Sequence, residues 1–432
     1  MAATTDVIEM FKYTYGAERL SYLAAQEIVA WRILSRKKSP VGGRGQWLLP
    51  VQTKNTGVWS GHTEGGNLTT RRSQPDTAEA SFSLQEFHGI WDISWKMLQD
   101  ARKSEYAFAR SVEFMDSSFR RRNYRLLNAD LIGTGRGELG ILSAADDQVG
   151  ITVRALPLVD LGLIVDLMDA SDDNTLLGPD GAAVTAIDVP NRVITTGTAG
   201  SGTAAGDYFT FADSVTSAAS LHLLGLLAWV DDANPAATVG NIGGINRSTA
   251  GNEWWQATDL GNSGTNRPLT EDLTLQGLDT TRERGGSMIS DYLSNLALLR
   301  RYHETLRAET MVSFGSLKEL DGKVGLGRDE SGMKGGENSE GETIYKFSGI
   351  PWRAEMFFDS NKLVGLNREH LFIGHGENDV PRPISEIFDE MTPFFTLPST
   401  AAAKFEVISY WQGELMGDNP PAHHIIRDLA ES

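Results

Sequence analysis

The chain has 432 residues, a formal net charge of −18 and no cysteine, with 40% hydrophobic and 22% charged residues. That length accommodates two or three core-forming units, and the lack of cysteine excludes disulfides, thiolate metal sites and cysteine nucleophiles. The acidic balance makes most of the surface repel nucleic acid, and no run of about 18 apolar residues exists to cross a membrane.

The start, Met1-Ala-Ala-Thr-Thr-Asp6, has neither the basic flank nor the apolar centre of a signal peptide, so the expected location is the cytoplasm of the producing cell. Ile8, Phe11, Leu20, Leu23, Ile28 and Trp31 predict a helix from Val7 to Ser35, ending in Arg36-Lys37-Lys38 before Pro40 and a glycine cluster. Residues 46–93 then read as a long polar hairpin. Trp47, Leu49 and Val51 alternate along its first strand, Gly65-Gly66-Asn67 gives a flexible tip, and Phe82, Leu84 and Phe87 mark the return. An isolated two-stranded hairpin is marginal in water. This one is expected to lie on another subunit, the competing reading being a ribbon packed on its own domain.

From Ser94, a good N-cap, Leu98, Ala101, Phe108, Val112, Met115 and Phe119 recur at helical spacing and predict one helix to about Leu131. Such a helix would span roughly 55 Å at 1.5 Å per residue. Its other face carries Lys96, Arg102, Lys103, Arg110, Arg120-Arg121-Arg122 and Arg125, read as solvated in preference to touching nucleic acid. After the glycine-rich loop Gly133–Gly140, short strands from Ile151 to about Phe211 predict a small β-barrel or sandwich inserted at 151–215. A mixed α/β region follows. It includes the apolar run Leu221–Val230, a helix capped by Thr270 with Leu273 and Leu278, and a second amphipathic helix from Tyr292 to Leu306. Gly322–Gly341 is a loop, and strands at 343–347, 352–358, 364–366, 371–373 and 405–411 close the chain.

Nothing in the sequence builds a catalytic or cofactor site. No His-Glu-x-x-His run exists, His62 and Glu64 sit in the hairpin, and His423 and His424 would point to opposite faces of an extended segment. Gly240–Ser248 lacks the lysine of a phosphate loop, and Asp169–Asn174 lacks the spacing of a calcium loop and reads as a turn. No serine stands in a Gly-x-Ser-x-Gly elbow. The expectation is no enzyme, no metal and no cofactor. One alternative is a β-rich adhesion or carbohydrate-binding protein that uses residues 151–211 and Trp254-Trp255.

The order of parts carries a resemblance. Gly349-Ile-Pro-Trp-Arg-Ala-Glu-Met-Phe-Phe-Asp-Ser360 runs into Leu363-Val-Gly-Leu-Asn-Arg-Glu-His-Leu-Phe-Ile373; later come Phe405–Trp411, Gly413-Glu-Leu, Asn419-Pro-Pro-Ala and His424-Ile-Ile. With Leu226–Trp229, Gly243-Gly-Ile-Asn-Arg and Trp254-Trp255, this order resembles the major capsid protein of tailed double-stranded DNA bacteriophages, which has the Hong Kong 97-like fold. The resemblance implies an α+β chain with an N-terminal arm at 1–45, an E-loop hairpin at 46–93 and a P-domain with its spine helix at 94–150. It further implies an A-domain at 216–372, P-domain strands at 373–415 and a C-terminal A-domain segment at 416–432, around the inserted 151–215. On that basis the chain assembles with itself through hexamers and pentamers into an icosahedral shell. The shell encloses DNA without gripping a particular sequence, in a virion put together in the host cytoplasm.

The same resemblance implies a separate scaffolding protein, a portal protein and, as an optional partner, a decoration protein. It makes Trp59, Arg71, Arg72, Ser73, Gln74 and Pro75 the expected intersubunit contacts. The family's prototype crosslinks subunits through a hairpin lysine; Lys54 is the only lysine between Lys38 and Lys96, but no asparagine or glutamate partner matches, so a solvated Lys54 is expected. An encapsulin-type nanocompartment shell is the alternative within the same fold.

Overall fold

The structure is a computed structural model. It describes residues 28–39, 46–54, 76–94, 105–142, 148–151, 156–169, 176–177, 181–197, 203–204, 207–212, 221–230, 241–302, 344–376, 382–383, 397–398 and 404–430. The expected helix over Val7–Glu27, the hairpin tip and the 322–341 loop lie outside them.

A short helix α1 (Val29–Ile33) opens the described chain and gives way at once to strand β1 (Ser35–Lys38). The sequence reading had the helix run to Ser35. The basic run instead adopts an edge strand, parallel to β18 (Leu371–His375). All four β1 side chains are exposed, and charged residues on an open edge discourage unwanted strand pairing.

Strands β2 (Gln46–Lys54) and β3 (Asp76–Ser83) form the expected antiparallel hairpin, with Trp47 opposite Phe82 and Val51 opposite Ala78. The return does not run on to 93 as part of this hairpin. After Leu84 the chain enters β4 (Gln85–Ser94), which pairs with β21 (Lys404–Gly417) from Gln85↔Gly413 to Ser94↔Lys404. Phe82 and Phe87 therefore belong to different sheets. The other edge of β21 takes β18, then β19 (Arg382–Pro383) and β20 (Leu397–Pro398), which completes a six-stranded sheet.

Helix α2 (Glu105–Ile132) has 28 residues, roughly 42 Å at 1.5 Å per residue. Ser94 is no N-cap; it ends β4, and the helix is described only from Glu105. Long-range pairing to Lys404 outcompetes a favourable local cap. The helix crosses the β4–β21 ribbon where Gly89 faces Ser409. A Cβ on Gly89 would lie 2.6 Å from the Phe119 ring, and Asn123 Nδ2 donates to Ser409 Oγ at 3.3 Å. Leu127 and Leu131, one turn apart, are buried in the main core.

A closed barrel follows. Its strands are β5 (Gly140–Leu142), β6 (Gln148–Ile151), β7 (Ile164–Met168), β8 (Ala182–Asp188), β9 (Val193–Thr196) and β10 (Tyr208–Phe211). They close in the order β10-β5-β6-β9-β8-β7, all antiparallel. Closure removes both sheet edges and encloses a separate core of Leu139, Leu142, Val159, Val165, Leu167, Ala182, Val184, Ile194 and Phe209. The barrel begins at Gly140, not at 151: the loop glycines end in its first strand.

Helix α3 (Leu226–Val230) leads to the turn between β11 (Asn241–Ile242) and β12 (Ile245–Asn246). The remainder is a mixed six-stranded sheet ordered β13 (Thr258–Leu260), β22 (His424–Ile426), β17 (Leu363–Leu366), β14 (Asp291–Ser294), β16 (Ile350–Ala354), β15 (Ile344–Phe347). Helix α4 (Glu271–Gly285) packs beside β22, and Thr270 caps it by accepting from the Leu273 amide at 3.3 Å. Tyr292 and Leu293, read from sequence as helical, lie in β14 with all four strand residues buried; a helix, α5, is described over 296–302. A buried strand shows no alternation, so its apolar run imitates a helix face. Similarly, β16 stops at Ala354, and 355–358 turns away from it.

Candidate assembly surface

The base of the hairpin is held by its own chain. Trp47, Leu49 and Val51 point inward while Gln46, Leu48 and Pro50 point out. Phe82 stacks on Trp229 with ring centroids 5.9 Å apart, and Trp47 meets Phe372 at 5.7 Å. The Ser81 amide donates to Gly243 O at 2.8 Å, in the β11–β12 turn, where a Cβ on Gly243 would lie 2.9 Å from both Ala80 and Phe82. The competing reading, a ribbon packed on its own domain, therefore holds for this half. Trp59, Arg71, Arg72, Ser73, Gln74 and Pro75 lie outside the described residues. Lys54 ends β2 opposite Asp76.

Buried polar groups tie the elements beneath the hairpin. Glu355 follows β16, is wholly buried and accepts from the Ala30 amide of α1 at 2.9 Å. Burial pushes its carboxyl up to about 7, against the pull of donors from Ala30, Asn128, Phe357 and Val29. Beside Glu355, the Trp31 amide donates to Asn128 Oδ1 at 3.1 Å, which fastens α1 to α2. Glu414 on β21 accepts from the Leu224 amide at 2.7 Å and the Leu415 amide at 2.9 Å; burial pushes it up to about 8. His423 and His424 are fully enclosed, and burial drives both down to about 3, so both are neutral. They do diverge: His423 Nδ1 accepts from the Asn367 amide at 3.1 Å, while His424 Nδ1 meets Thr281 Oγ1 at 2.8 Å. These four groups brace the interior.

Several apolar side chains are exposed on this body. Leu296 at the start of the helix after β14 and Met356 in the turn after β16 are 57% and 54% exposed. Met288 and Leu275 are also exposed, as is Ile90 on β4. Trp254 and Trp255 offer no such face. Trp255 is fully buried with its indole N–H on Ile242 O at 3.0 Å, and Trp254 packs against the same core, so they are not a glycan platform. Among the described residues no group of three or more His, Asp or Glu is placed to hold a metal ion, and no helix is long and apolar enough to cross a membrane.

No protein-family model matches the sequence, and no curated protein aligns with it. Solved structures do match. The chain superposes on the cyanophage A-1(L) capsid with a TM-score of 0.53 at 14% identity, covering 93% of both chains. The chain has the Hong Kong 97-like fold of phage capsid proteins. Gordonia phage Cozz aligns at TM-score 0.43 and 12% identity over 94% of this chain and 87% of that one. The SrpI encapsulin of Synechococcus elongatus PCC 7942 aligns at 0.40 and 9%, over 94% and 89%. Within the capsid fold, the passage from Gly349 to Ile373 is among the most deeply packed: Trp352, Phe357, Phe358, Leu363 and Val364 are fully buried.

Proposed function

We propose that this chain is the subunit of a closed icosahedral shell, built from pentamers and hexamers, that encloses the double-stranded DNA of a tailed bacteriophage. The observation that supports this best is the end-to-end match to a cyanophage capsid, over 93% of both chains at a TM-score of 0.53. In this reading β2–β3 is the E-loop reaching towards a neighbour, α2 is the spine of the P-domain with the β21 sheet, and the β14 sheet belongs to the A-domain. Trp59 and the run Arg71 to Pro75 supply intersubunit contacts. The net charge of −18 suits a coat that must let DNA in and out, since phosphate contacts bind strongly at low salt. A separate scaffolding protein and a portal complete the assembly.

Electron microscopy of the expressed chain, alone and with a scaffolding partner, tests the proposal. Uniform closed particles, or pentamers and hexamers, are the expected result; a stable monomer at high concentration overturns it. The contents of purified particles then separate a virus head, which holds DNA, from a compartment that holds a protein cargo.

A further inference from the structure

The antiparallel register of β18 and β21 brings two residues together just past the end of the ladder. Leu371 lies opposite Gly417, so His370 and Asp418, one residue further on each strand, face each other. A Cβ on Gly417 would lie 2.7 Å from the His370 carbonyl oxygen, and the Asp418 amide donates to that oxygen at 3.3 Å. Glycine thus lets the two backbones close in, and the side chains follow: His370 Nδ1 stands 2.8 Å from Asp418 Oδ1. The other ring nitrogen, Nε2, stands 3.0 Å from Ser287 Oγ. His370 is 83 positions from the serine and 48 from the aspartate, so no local motif announces the three.

Each member is held from a second direction. Ser287 follows Gly286, whose left-handed backbone ends α4 and whose amide donates to Arg282 O at 3.1 Å. The end of α4 is tied to the segment that carries Asp418, since Asn419 Nδ2 donates to Gly285 O at 3.2 Å. Further along the serine loop, Ser290 Oγ accepts from the Arg368 amide at 3.0 Å and donates to Leu366 O at 3.0 Å, which zips that loop to the turn before His370. A carboxylate only accepts, so Nδ1 carries the imidazole proton and Nε2 accepts from the Ser287 hydroxyl. The Asp418 side chain is 52% exposed and solvent screens its charge, so the backbone bond between Asp418 and His370 shares the work of orienting the ring. Among the described residues the amides of Ser287 and Met288 make no hydrogen bond, which leaves the N–H groups of the serine and its successor for an oxyanion.

We propose that Ser287, His370 and Asp418 form a nucleophilic triad that hydrolyses small activated acyl esters. Nε2 takes the hydroxyl proton as Ser287 Oγ attacks the acyl carbon, and Asp418 keeps the ring in the tautomer that this transfer needs. His370 then gives the proton to the departing alkoxide oxygen, which leaves the acyl group on Ser287. Water attacks that acyl carbon and passes a proton to the same Nε2; the carboxylic acid departs as Ser287 Oγ takes the proton back. The site lies open beside Met288, 62% exposed, so its substrates are short esters that need no deep pocket, with the Met288 side chain as an apolar rest. All three groups belong to one subunit, and the activity does not rest on the shell reading.

The purified full-length chain, treated with a fluorophosphonate probe that a reactive serine attacks with loss of fluoride, tests this. Peptide mass spectrometry locates the label, and p-nitrophenyl acetate hydrolysis is followed in parallel. The label is expected on Ser287, with a rate of attachment that falls about 100-fold or more in His370→Gln, the low end of what a general base supplies. Asp418→Asn should slow it about tenfold or more, because an amide there favours the wrong tautomer. Ser287→Ala should lose the label and the ester hydrolysis together. A parent chain unlabelled at Ser287, which is what a hydrogen-bonded chain that only braced the fold would give, overturns the proposal. So does a labelling rate unchanged in His370→Gln, or hydrolysis that persists in full in Ser287→Ala. If His370→Gln does not fold, Asp418→Asn, a change on an exposed side chain, decides in its place, and labelling of the parent needs no variant.

Discussion

Glu355 shows how a single side chain joins distant parts of this chain. It is wholly buried, and its oxygens serve the backbone of α1 and of its own turn. Replacing it with alanine strands buried amide donors, each costing about 1–3 kcal/mol. Glu355→Ala should therefore lose about 3 kcal/mol in denaturant unfolding, and Glu355→Gln, which keeps an acceptor, clearly less. An alanine variant within about 0.5 kcal/mol of the parent, the range of ordinary surface changes, would show that α1 is anchored elsewhere. Thr270 is a smaller case: removing its cap on α4 with Thr270→Ala should cost about 1 kcal/mol.

At the scale of elements, the hairpin divides into a base that the chain holds and a tip expected to reach a neighbour. Phe82 is buried against Trp229, so Phe82→Ala should destabilise the isolated subunit by about 3–5 kcal/mol. Deleting residues 56–72 leaves that base in place. The shortened subunit should unfold at a midpoint close to the parent's, yet fail to make stable shells under the electron microscope. Normal shells from the shortened chain would remove the tip from the interface, and a collapse in subunit stability would show that the tip also folds back on its own body.

For the whole molecule, the buried groups set a pH profile. Glu355 and Glu414 have folded values near 7 and 8 against 4.5 unfolded, so the folded state takes up protons and stability falls as pH rises from about 4.5 to 8. His423 and His424, near 3 against 6.5, do the reverse: their contribution is intact above 6.5 and is lost as pH falls towards 3. Each group contributes a slope of about 1.4 kcal/mol per pH unit inside its window. Two rising and two falling slopes cancel between about 4.5 and 6.5. Unfolding free energy should show a plateau there, with declines on both sides. Glu414→Gln should take about 1.4 kcal/mol per pH unit off the fall between pH 6.5 and 7, and a profile that still climbs from pH 6.5 to 8 would contradict the assignment.

Local chemistry alone determined much of this protein. The alternation of Trp47, Leu49 and Val51, the Thr270 cap and the barrel strands β7, β8 and β9 follow from periodicity and backbone freedom, which need no knowledge of partners. The capsid-like passages were legible only as a resemblance, in the order of Gly349–Ile373, Phe405–Trp411 and His424-Ile-Ile. The structure decided matters that depend on residues far apart in sequence. Ser94 became a strand because it pairs with Lys404, Tyr292 became one because it is buried between β16 and β17, and Arg36 to Lys38 extended against Ile373 to His375. The same holds for Glu355 and Glu414, each an ordinary acid until a contact some 190 or more residues away removes its water. No local pattern carries that signal, because burial is a property of the assembled core.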